Sequence, residues 1–451
     1  MMNAEEMNRI IWNLINCLHG IIFSPDKLSS SVVRLLFLKY AVDNSIGATD
    51  LDSMEYCAKA QKVFAKRDTE SGLETIIPVL QNIDLAYNLS SIISNNDTVE
   101  QYAAELFGMD RLRQKKNTTD LSFKRVMEML ASIDLEEESK ESHDLGRLLV
   151  DALVAMTASA MEGNKMAASS STSIGLAKLA KAILNVKRND TYCDFACGKG
   201  LSTIEITGAT LPQVTNIDIV QESASISAML LIMYGYEHFS VKCEDSLREK
   251  QQGISGNKIF VDPPIGIRLQ KAGEEKSTDS ILLACDRIIH DYLSSDGIAV
   301  VTTPSGPLFR QGTAIGIKNE MVSLGLLYAV IALPPMWSGT TIGTNLLVLR
   351  KTPTQSTLFV DASDLGGVSV EKKRARGSSI LTEKRIQDIA EVIHNPRDIP
   401  GFAKVVPSTE ISAKEYNLVP ANYVIKQIEE DTTTLAEIDE QLADLYRQLN
   451  L

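Results

Sequence analysis

Between residues 191 and 350 the sequence alternates short apolar segments with longer segments of helical periodicity. This alternation constrains the fold strongly, because strands joined by helices form a mostly parallel sheet with helices on both faces. We therefore predict an α/β domain, and we expect its last two strands to form a hairpin that completes the sheet. The predicted strands are 191–195, 214–219, 239–243, 258–261, 297–302, 327–333 and 345–350.

The regions on either side of these strands have different patterns. Residues 1–145 are predicted to form a helical N-terminal domain, because their apolar residues recur at spacings of three and four. Residues 146–365 are predicted to form the α/β domain, and residues 366–451 a C-terminal region that ends in an amphipathic helix. That helix suits either contact with a partner helix or packing within the chain. Its apolar stripe consists of Leu435, Ile438, Leu442, Leu445 and Leu449.

The composition is that of a soluble globular protein of two or three domains, with 451 residues, 44% of them apolar and 23% charged. No apolar run approaches the roughly 18 residues that a membrane span needs, and no basic leader opens the sequence. We therefore expect a cytoplasmic protein without membrane contact. The six cysteines form no CxxC pair and the five histidines form no HExxH motif. Neither a disulfide framework nor a metal site is predicted.

The formal net charge of −13 limits how the chain can bind nucleic acid. A protein that binds DNA alone usually presents a basic face, since phosphate contacts supply most of the non-specific affinity. Either nucleic acid is not the substrate, or the contact is local, or a partner supplies much of the affinity. The run EKKRAR at 371–376 is a candidate phosphate contact, although such runs are more often solvated loops.

The segment KIFVDPPIGI, residues 258–267, joins a short apolar strand to a stiff loop. Asp262 lies at the end of the strand, where open α/β sheets bind ligands. Pro263 and Pro264 restrict the backbone and remove two donors, which leaves a cluster of acceptors. The Asp262 carboxylate and the carbonyls of Asp262 and Pro263 can converge on a planar NH2 group and expose its nitrogen lone pair for nucleophilic attack. The same residues also suit an ordinary proline turn.

A glycine-rich turn, DFACGKG, follows the first predicted strand and contains Asp194, Gly198 and Gly200. Glycines let the backbone approach a ligand, and the start of the next helix offers unpaired N–H groups. A tight connection without a ligand is the alternative interpretation. GKG is followed by Leu201, so the P-loop spacing is absent, and the chain contains no GxGxxG motif.

Acidic residues follow the next two strands. Asp218 stands where doubly wound folds bind ribose hydroxyls, and Asp245 is placed to meet the amino group of an adenine. Taken singly, each acid is more often a helix N-cap. One acid at each strand end indicates an adenosine-containing ligand. A glycine turn without a Walker lysine, followed later by a proline loop, favours S-adenosylmethionine over NAD or a nucleoside triphosphate.

Several long segments resemble, in the same order, the modification subunit of type I restriction–modification enzymes, a member of the adenine-N6 DNA methyltransferases. The resemblance covers nearly the whole chain. It implies a Rossmann-like S-adenosylmethionine-dependent methyltransferase sheet preceded by an α-helical N-terminal domain. The segments are LHGIIFSPDKLSSSVVRLLFLKYAVD, DFACGKG, VDPPIG, SSDGIAVVTTPSGPLFRQG, LPPMWSGTTIGTNLLVLRK and ISAKEYNLVPANYV.

The resemblance also implies a mechanism and partners. The target adenine would be flipped out of the DNA duplex, and its N6 would donate hydrogen bonds to Asp262 and to the Pro263 carbonyl. A separate specificity subunit would choose the sequence, with two modification subunits per specificity subunit, and a restriction subunit can join them. The implied catalytic residues are Asp262, Pro263, Pro264 and Ile265. The implied cofactor-binding residues are Asp194, Ala196, Gly198, Gly200, Asp218, Ile219 and Asp245.

The sequence departs from the family pattern at two places. Where the family loop carries Phe or Tyr to stack on the flipped base, this chain has Ile265, and such stacking is worth about 1–3 kcal/mol per base. Phe260 and Trp337 are candidates to replace that aromatic contact. The family's aromatic-x-Thr-Pro segment, which helps to cover the cofactor, is replaced by a serine-rich segment at 167–173.

Two other functions fit the same residues. A non-catalytic assembly subunit would keep the fold and the protein contacts while its active loop diverged, as Ile265 and the serine-rich segment allow. A methyltransferase for a protein amide or an RNA amine also uses such proline loops, but the resemblance of the N- and C-terminal segments argues against it. Methyl transfer to DNA, measured with and without a specificity subunit, separates these interpretations.

Overall fold

A computed structural model describes the chain in ten segments. Four sequence predictions lie wholly or mostly outside them, namely the basic run at 371–376, the C-terminal apolar stripe at 435–449, the helical pattern between 47 and 128, and the serine-rich segment at 167–173, of which residues 172 and 173 are described. Within the described part, no helix is both long enough and apolar enough to cross a membrane. The described residues are 3–19, 25–44, 46, 129, 133–138, 143–163, 172–270, 277–337, 342–363 and 381–425.

The described strands form one nine-stranded sheet and one separate hairpin. The hairpin pairs β5 with β6, and the sheet has the order β11-β10-β8-β9-β7-β4-β1-β2-β3. The strands are β1 (Thr191–Asp194), β2 (Gln213–Asp218), β3 (Phe239–Cys243), β4 (Gly256–Val261), β5 (Arg268–Gln270), β6 (Ser277–Asp279), β7 (Leu293–Pro304), β8 (Leu327–Leu333), β9 (Thr344–Arg350), β10 (Ser356–Asp361) and β11 (Ala403–Pro407).

The order of the strands places a topological switch point between β1 and β4. From β1 the chain continues outward to β2 and β3, and it then returns to the other side of β1 with β4 and β7. All of these neighbours pair in parallel. Loops that leave the carboxyl ends of β1 and β4 therefore diverge and open a crevice, which is where open α/β sheets bind ligands.

The predicted hairpin is confirmed, since β9 pairs antiparallel with β8 and with β7. The expectation that this hairpin completes the sheet is wrong. β10 pairs in parallel with β8, and β11 adds an antiparallel edge strand. The extension is stable because β10 buries Leu358, Phe359 and Val360 against the existing sheet. Part of the predicted C-terminal region therefore continues the α/β sheet.

Helices cover both faces of the sheet. Because successive strand residues point to opposite faces, Tyr192 of β1 is buried in one core and Cys193 in the other. The first core lies under α1–α6 and α10, and the second under α7–α9 and α11. The helices are α1 (Ala4–His19), α2 (Pro25–Asp43), α3 (Asp144–Gly163), α4 (Ile174–Leu184), α5 (Leu201–Thr207), α6 (Gln221–Tyr234), α7 (Ser280–Arg287), α8 (Gly306–Phe309), α9 (Thr313–Ser323), α10 (Glu383–His394) and α11 (Ser408–Ala413).

The N-terminal helices pack on the sheet layer through α6, which contacts both α2 and α3. The contact includes polar links as well as apolar burial, because Arg34 of α2 lies 3.6 Å from the Glu222 carboxylate at the start of α6. Tyr40 donates a hydrogen bond of 3.0 Å to Glu137, in the segment that precedes α3. The described part of the predicted N-terminal domain is therefore helical and is joined to the helix that follows β2.

Candidate active site

Three of the predicted acids meet at the carboxyl edge of the sheet, beside the switch point. Asp194 ends β1, Asp218 ends β2, and Asp262 follows β4. Burial raises the pKa of all three carboxyls, and the charges of Asp262 and Asp218 raise the pKa of Asp194 further. The three groups thus share one electrostatic environment, as expected of a ligand site that is completed by a cation or a hydrogen-bond donor.

Asp194, the last residue of β1, holds the glycine-rich turn in place through its carboxyl group. Its carboxyl accepts hydrogen bonds from the Ala196 amide and the Ser202 hydroxyl, each over 3.1 Å. Asp194 is 1% exposed, and burial raises its pKa to about 8 although both hydrogen bonds lower it. At neutral pH this carboxyl is therefore largely protonated, and a bound positive charge would favour loss of its proton.

Two glycines shape the turn in different ways. Gly200 has a φ of +79°, and a Cβ placed on it would lie 2.5 Å from the Ser227 hydroxyl oxygen and 3.1 Å from Ser227 Cα. Only glycine therefore allows the turn to lie this close to α6. Gly198 has a φ of +53°, and a Cβ there would meet no described atom within 4 Å. That side of the turn is open and can receive a ligand.

Asp218 ties the turn to the end of β2. Its carboxylate accepts hydrogen bonds from the amides of Gly198, over 2.9 Å, and Val220, over 2.8 Å. Its neighbour Ile219 is 65% exposed, which is unusual for a large apolar side chain at the carboxyl edge. An acid beside an exposed apolar side chain suits a nucleoside, whose ribose can hydrogen-bond while its base packs on the apolar surface.

Asp245 is less closely connected to this network. Its carboxylate accepts a hydrogen bond of 3.0 Å from the Arg248 amide and lies 3.6 Å from the Arg248 guanidinium. This is the N-cap-like contact that a single acid after a strand can make. The next residue, Ser246, does reach β1, because its hydroxyl donates to the Phe195 carbonyl over 2.8 Å. Asp245 therefore borders the crevice without joining the Asp194–Asp218 hydrogen bonds.

The Asp262 carboxylate is held by three donors from distant parts of the chain. Thr302 of β7 donates to one oxygen, and Thr172, which lies two residues before α4, donates to the other over 2.7 Å. The Trp337 indole is a third hydrogen-bond partner. Burial raises the pKa of Asp262, and each of these hydrogen bonds lowers it. The donors thus favour the ionised carboxylate and fix its orientation.

The rest of the proline loop is fixed by the start of α7. Ser280 donates through its hydroxyl to the Pro264 carbonyl over 2.6 Å and through its amide to the Ile267 carbonyl over 3.0 Å. Pro263 is buried, and among the described residues none donates a hydrogen bond to its carbonyl. Ile265 is 40% exposed. The loop therefore presents the Asp262 carboxylate, the available Pro263 carbonyl and the exposed side chain of Ile265.

The two candidate aromatic replacements occupy different positions. Phe260 is completely buried within β4, so its proposed role as a stacking surface is wrong. The reason is the alternation of the strand, which directs Phe260 into the core under α1–α6 and α10. Trp337 lies beside the Asp262 carboxylate, to which it is hydrogen-bonded. Trp337 therefore lies next to the proline loop, but at 7% exposure it offers a base little surface for stacking.

Sequence reasoning missed Thr172 and Thr302 as neighbours of Asp262. They are separated from it by 90 and 40 positions, so no local spacing links them. Thr302 follows from the pairing of β4 with β7, because Val261 is opposite Val301 in the register. Thr172 had a weaker signal, namely its place at the end of the serine-rich segment that precedes α4.

A group with metal-ligand atoms lies elsewhere in the described part of the chain. Asp286, His290 and Glu320 place one such atom each within 4.8 Å of the others. His290 Nε2 lies 3.1 Å from Glu320 and 3.8 Å from Asp286, so the group is already held together by side-chain contacts. Asp286 lies in α7, His290 follows that helix and Glu320 lies in α9, so the group is separate from the acids of the crevice.

Two solved structures have a similar fold. The methyltransferase subunit of a type I restriction–modification system from Streptococcus thermophilus gives a TM-score of 0.73 at 18% identity, covering 93% of this chain and 99% of that chain. A chain from a study of complex assembly and conformational transition in the type I system gives 0.68 at 14% identity, covering 100% and 97%. At these identities the likeness concerns the fold, and it confirms the predicted methyltransferase-type α/β sheet.

The sequence comparisons identify the family. The methylase subunit of the type I restriction enzyme MpnII from Mycoplasma pneumoniae is 25% identical over an alignment of 370 residues, which covers 73% of this chain. The alignment spans 66% of that relative, just under two thirds of its length. The family model described as N-6 DNA Methylase matches residues 156–432, more than half of the chain. This chain therefore belongs to the N-6 DNA methylase family.

Proposed function

We propose that the chain is the modification subunit of a type I restriction–modification system and transfers a methyl group from S-adenosylmethionine to N6 of adenine in DNA. One observation carries the proposal. The glycine-rich turn after β1 and the proline loop after β4 leave adjacent strands at the switch point, so an adenosine site and an amino-group site face one crevice. Family membership favours DNA over a protein amide or RNA as the acceptor.

The residues around the turn fit S-adenosylmethionine. The open side of Gly198 leaves room for the ligand against the backbone, and Ile219 offers an exposed apolar surface for the adenine. Asp218 would accept hydrogen bonds from the ribose hydroxyls, and Asp194, below the turn, would compensate the positive charge of the methionine part. When bound, S-adenosylmethionine supplies an electrophilic methyl group.

The proline loop would prepare the acceptor. An adenine inside the duplex cannot present N6 to the crevice, so the base has to be flipped out. Its amino group would donate one hydrogen bond to the Asp262 carboxylate and one to the Pro263 carbonyl. Both acceptors are held in place by the β4–β7 pairing and by the Ser280 contacts, and such preorganisation supplies rate by orientation. The ionised Asp262 carboxylate accepts this hydrogen bond more strongly than the protonated acid would.

A specificity subunit would recognise the DNA sequence, with two copies of this chain for each specificity subunit, and a restriction subunit would complete the system. The name of the Mycoplasma pneumoniae relative, a methylase subunit, and the subject of the complex-assembly structure support assembly with partner subunits. The net charge of −13 supports it as well, because an acidic chain gains from a partner that carries much of the phosphate contact. A chromosomal DNA substrate places the complex in the cytoplasm.

The alternative of a non-catalytic assembly subunit is favoured by one observation, the exposed Ile265 in place of a stacking aromatic residue. Trp337 beside Asp262 does not replace that stacking surface, because its side chain is only 7% exposed and contacts Asp262 through a hydrogen bond. The two functions differ in a single measurable property. A catalytic subunit transfers methyl groups once its specificity subunit is present, whereas an assembly subunit forms the same complex and transfers none.

The test is methyl transfer by the complex with its cognate specificity subunit. The substrate is amplified, unmethylated genomic DNA, the methyl group is isotopically labelled, and the product nucleoside is identified by mass spectrometry. We expect labelled N6-methyladenine with the complex and much less with the chain alone. A correctly assembled complex that yields no labelled N6-methyladenine would contradict the proposal and support the assembly function.

A further inference from the structure

We propose that Thr172 is a positioning residue for the proline loop, whose hydroxyl holds the Asp262 carboxylate in the orientation that accepts the amino group of the target base. This inference rests on the proposed function and deepens it. It assigns a role to the segment that stands where the family has aromatic-x-Thr-Pro. The contact is direct, with Thr172 Oγ1 2.7 Å from Asp262 Oδ2.

The place of Thr172 is set by helix α4. Ser173 is the N-cap of this helix, and its hydroxyl accepts a hydrogen bond from the Leu176 amide over 3.3 Å. Helix α4 packs against β4 and β7, and its buried residues lie in the first core, the one under α1–α6 and α10. Thr172 precedes this cap by one residue. Its hydroxyl is therefore held next to a capped helix, and its hydrogen bond restricts the orientation of the Asp262 carboxylate.

Helix α4 is tied to β4 at both ends. At the amino end of the strand, Lys258 donates to the Leu184 carbonyl, in the last turn of α4, over 2.7 Å. At the carboxyl end, Thr172 donates to Asp262. The helix therefore runs antiparallel to the strand, and the Thr172 contact is one of two polar links that fix their relative position along the sheet. Movement at the start of α4 would move the Asp262 carboxylate.

The start of α4 also lies near the segment that carries Trp337, another hydrogen-bond partner of Asp262. A Cβ on Gly175 would lie 2.9 Å from the end of the Met336 side chain, so the first turn of the helix lies against the segment that carries Trp337. Thr172 and Trp337 thus reach Asp262 from two segments in contact, and Thr302 reaches it from β7. With one oxygen bonded to each threonine, the carboxylate plane is fixed while further lone pairs stay available to a base.

The groups around Asp262 determine how loss of the Thr172 hydroxyl would change the pKa of the Asp262 carboxyl. The three partners of Asp262 are uncharged, and the titratable group that interacts with it is Asp194 of β1. The next charged pair by the loop is Arg310 and Asp279, which are 3.8 Å apart beside Ser280. The Thr172 hydroxyl donates to the Asp262 carboxylate and so lowers its pKa against the effect of burial. Removing it would therefore move ionisation of Asp262 to higher pH.

The experiment compares Thr172→Val, which keeps the shape and removes the hydroxyl, with Thr172→Ser, which keeps the hydroxyl. Thr352→Val is the matched control, because it makes the same change at an exposed threonine just after β9, at the opposite edge of the sheet from Asp262. With the full complex, we expect Thr172→Val to lower kcat by roughly 10-fold and to move the acid limb of the pH–rate profile upward by about 1 pH unit, with little change in KM. Thr172→Ser and Thr352→Val should retain the wild-type acid limb.

A second measurement does not depend on turnover. Carbon-13 labelling of aspartate, with the Asp262 carboxyl signal assigned through Asp262→Asn, reports its titration in each variant. We expect the Asp262 midpoint to rise in Thr172→Val alone. An unchanged midpoint in Thr172→Val, or an equal rise in Thr352→Val, would overturn the inference. If the wild-type complex methylates no DNA, the proposed function fails while the titration still decides the role of Thr172.

Discussion

The amide of Gly198 donates a hydrogen bond to the carboxylate of Asp218 across 2.9 Å, which joins the glycine-rich turn after β1 to the end of β2. The second carboxylate oxygen accepts from Val220 over 2.8 Å. One acid thereby fixes two backbone segments that would otherwise be independent loops. The residue predicted to bind the ribose is also the one that holds the turn in shape.

Asp218→Ala should weaken binding of S-adenosylmethionine by at least about 10-fold, because it removes the acceptor for the ribose and releases the turn. Isothermal titration calorimetry on the isolated chain measures the effect. Asp296→Ala is the control, since Asp296 is an exposed acid near the start of β7, at the opposite edge of the sheet. Equal affinities for Asp218→Ala and the control would contradict the assignment.

The two glycines of the turn should respond differently to alanine. Gly200→Ala forces a Cβ to 2.5 Å from the Ser227 hydroxyl oxygen at a φ of +79°, so we expect the free energy of unfolding to fall by at least about 1–2 kcal/mol. Gly198→Ala meets open space at a φ of +53°, so it should lower stability less and affect cofactor affinity more. Urea unfolding and calorimetry separate the two effects. The assignment fails if Gly198→Ala binds the cofactor as tightly as wild type.

Asp194 should make stability depend on pH. Its pKa rises from 3.8 to about 8 through burial, so the folded chain holds a proton in this range that the unfolded chain has lost. Unfolding then releases a proton, and the free energy of unfolding falls as pH rises from about 4 to about 8. Asp194→Asn removes this dependence, so its stability relative to wild type should increase by up to about 1.4 kcal/mol per pH unit. Urea unfolding at pH 5.5 and pH 8 tests this, and a constant difference would refute it.

Ile265→Phe should preserve or raise activity. Ile265 is 40% exposed, so a phenyl ring fits there without entering the core, and it restores a stacking surface worth about 1–3 kcal/mol per base. Ile267→Phe is the control, because Ile267 is 43% exposed in the same loop. Fluorescence of 2-aminopurine at the target position, with the full complex, reports how firmly the flipped base is held. A gain for Ile267→Phe equal to that for Ile265→Phe would show that stacking at position 265 is not the cause.

Much of the sheet follows from local patterns. The strands 239–243 and 327–333 are predicted to the residue, because the first alternates apolar and polar residues and the second is a short apolar run. β10 and β11 were missed because they are separated by α10 and pair only with each other and with β8. Their apolar character is clear in STLFVD, but their place at the edge of the sheet depends on pairings between distant segments.

The candidate site likewise contains residues that the sequence identifies and residues that only the packed structure reveals. The turn, Asp218 and Asp262 were identified because each stands directly after a strand, and strand ends are visible in the sequence. Thr172, by contrast, reaches Asp262 only because α4 lies antiparallel to β4. Phe260 was misassigned for a related reason, since the face of a strand on which a residue lies depends on the helices that cover it. Contacts across 40 to 90 positions require the packed structure.

The central claim is that Asp262 accepts the amino group that becomes methylated, and the most direct test is methyl transfer to DNA by the complex carrying Asp262→Ala. The exposed acid Asp296 again provides the matched control, as Asp296→Ala. We expect normal assembly with the specificity subunit for both variants, wild-type transfer for Asp296→Ala, and a loss of at least about 100-fold for Asp262→Ala. Transfer by Asp262→Ala at the rate of the control would contradict the account.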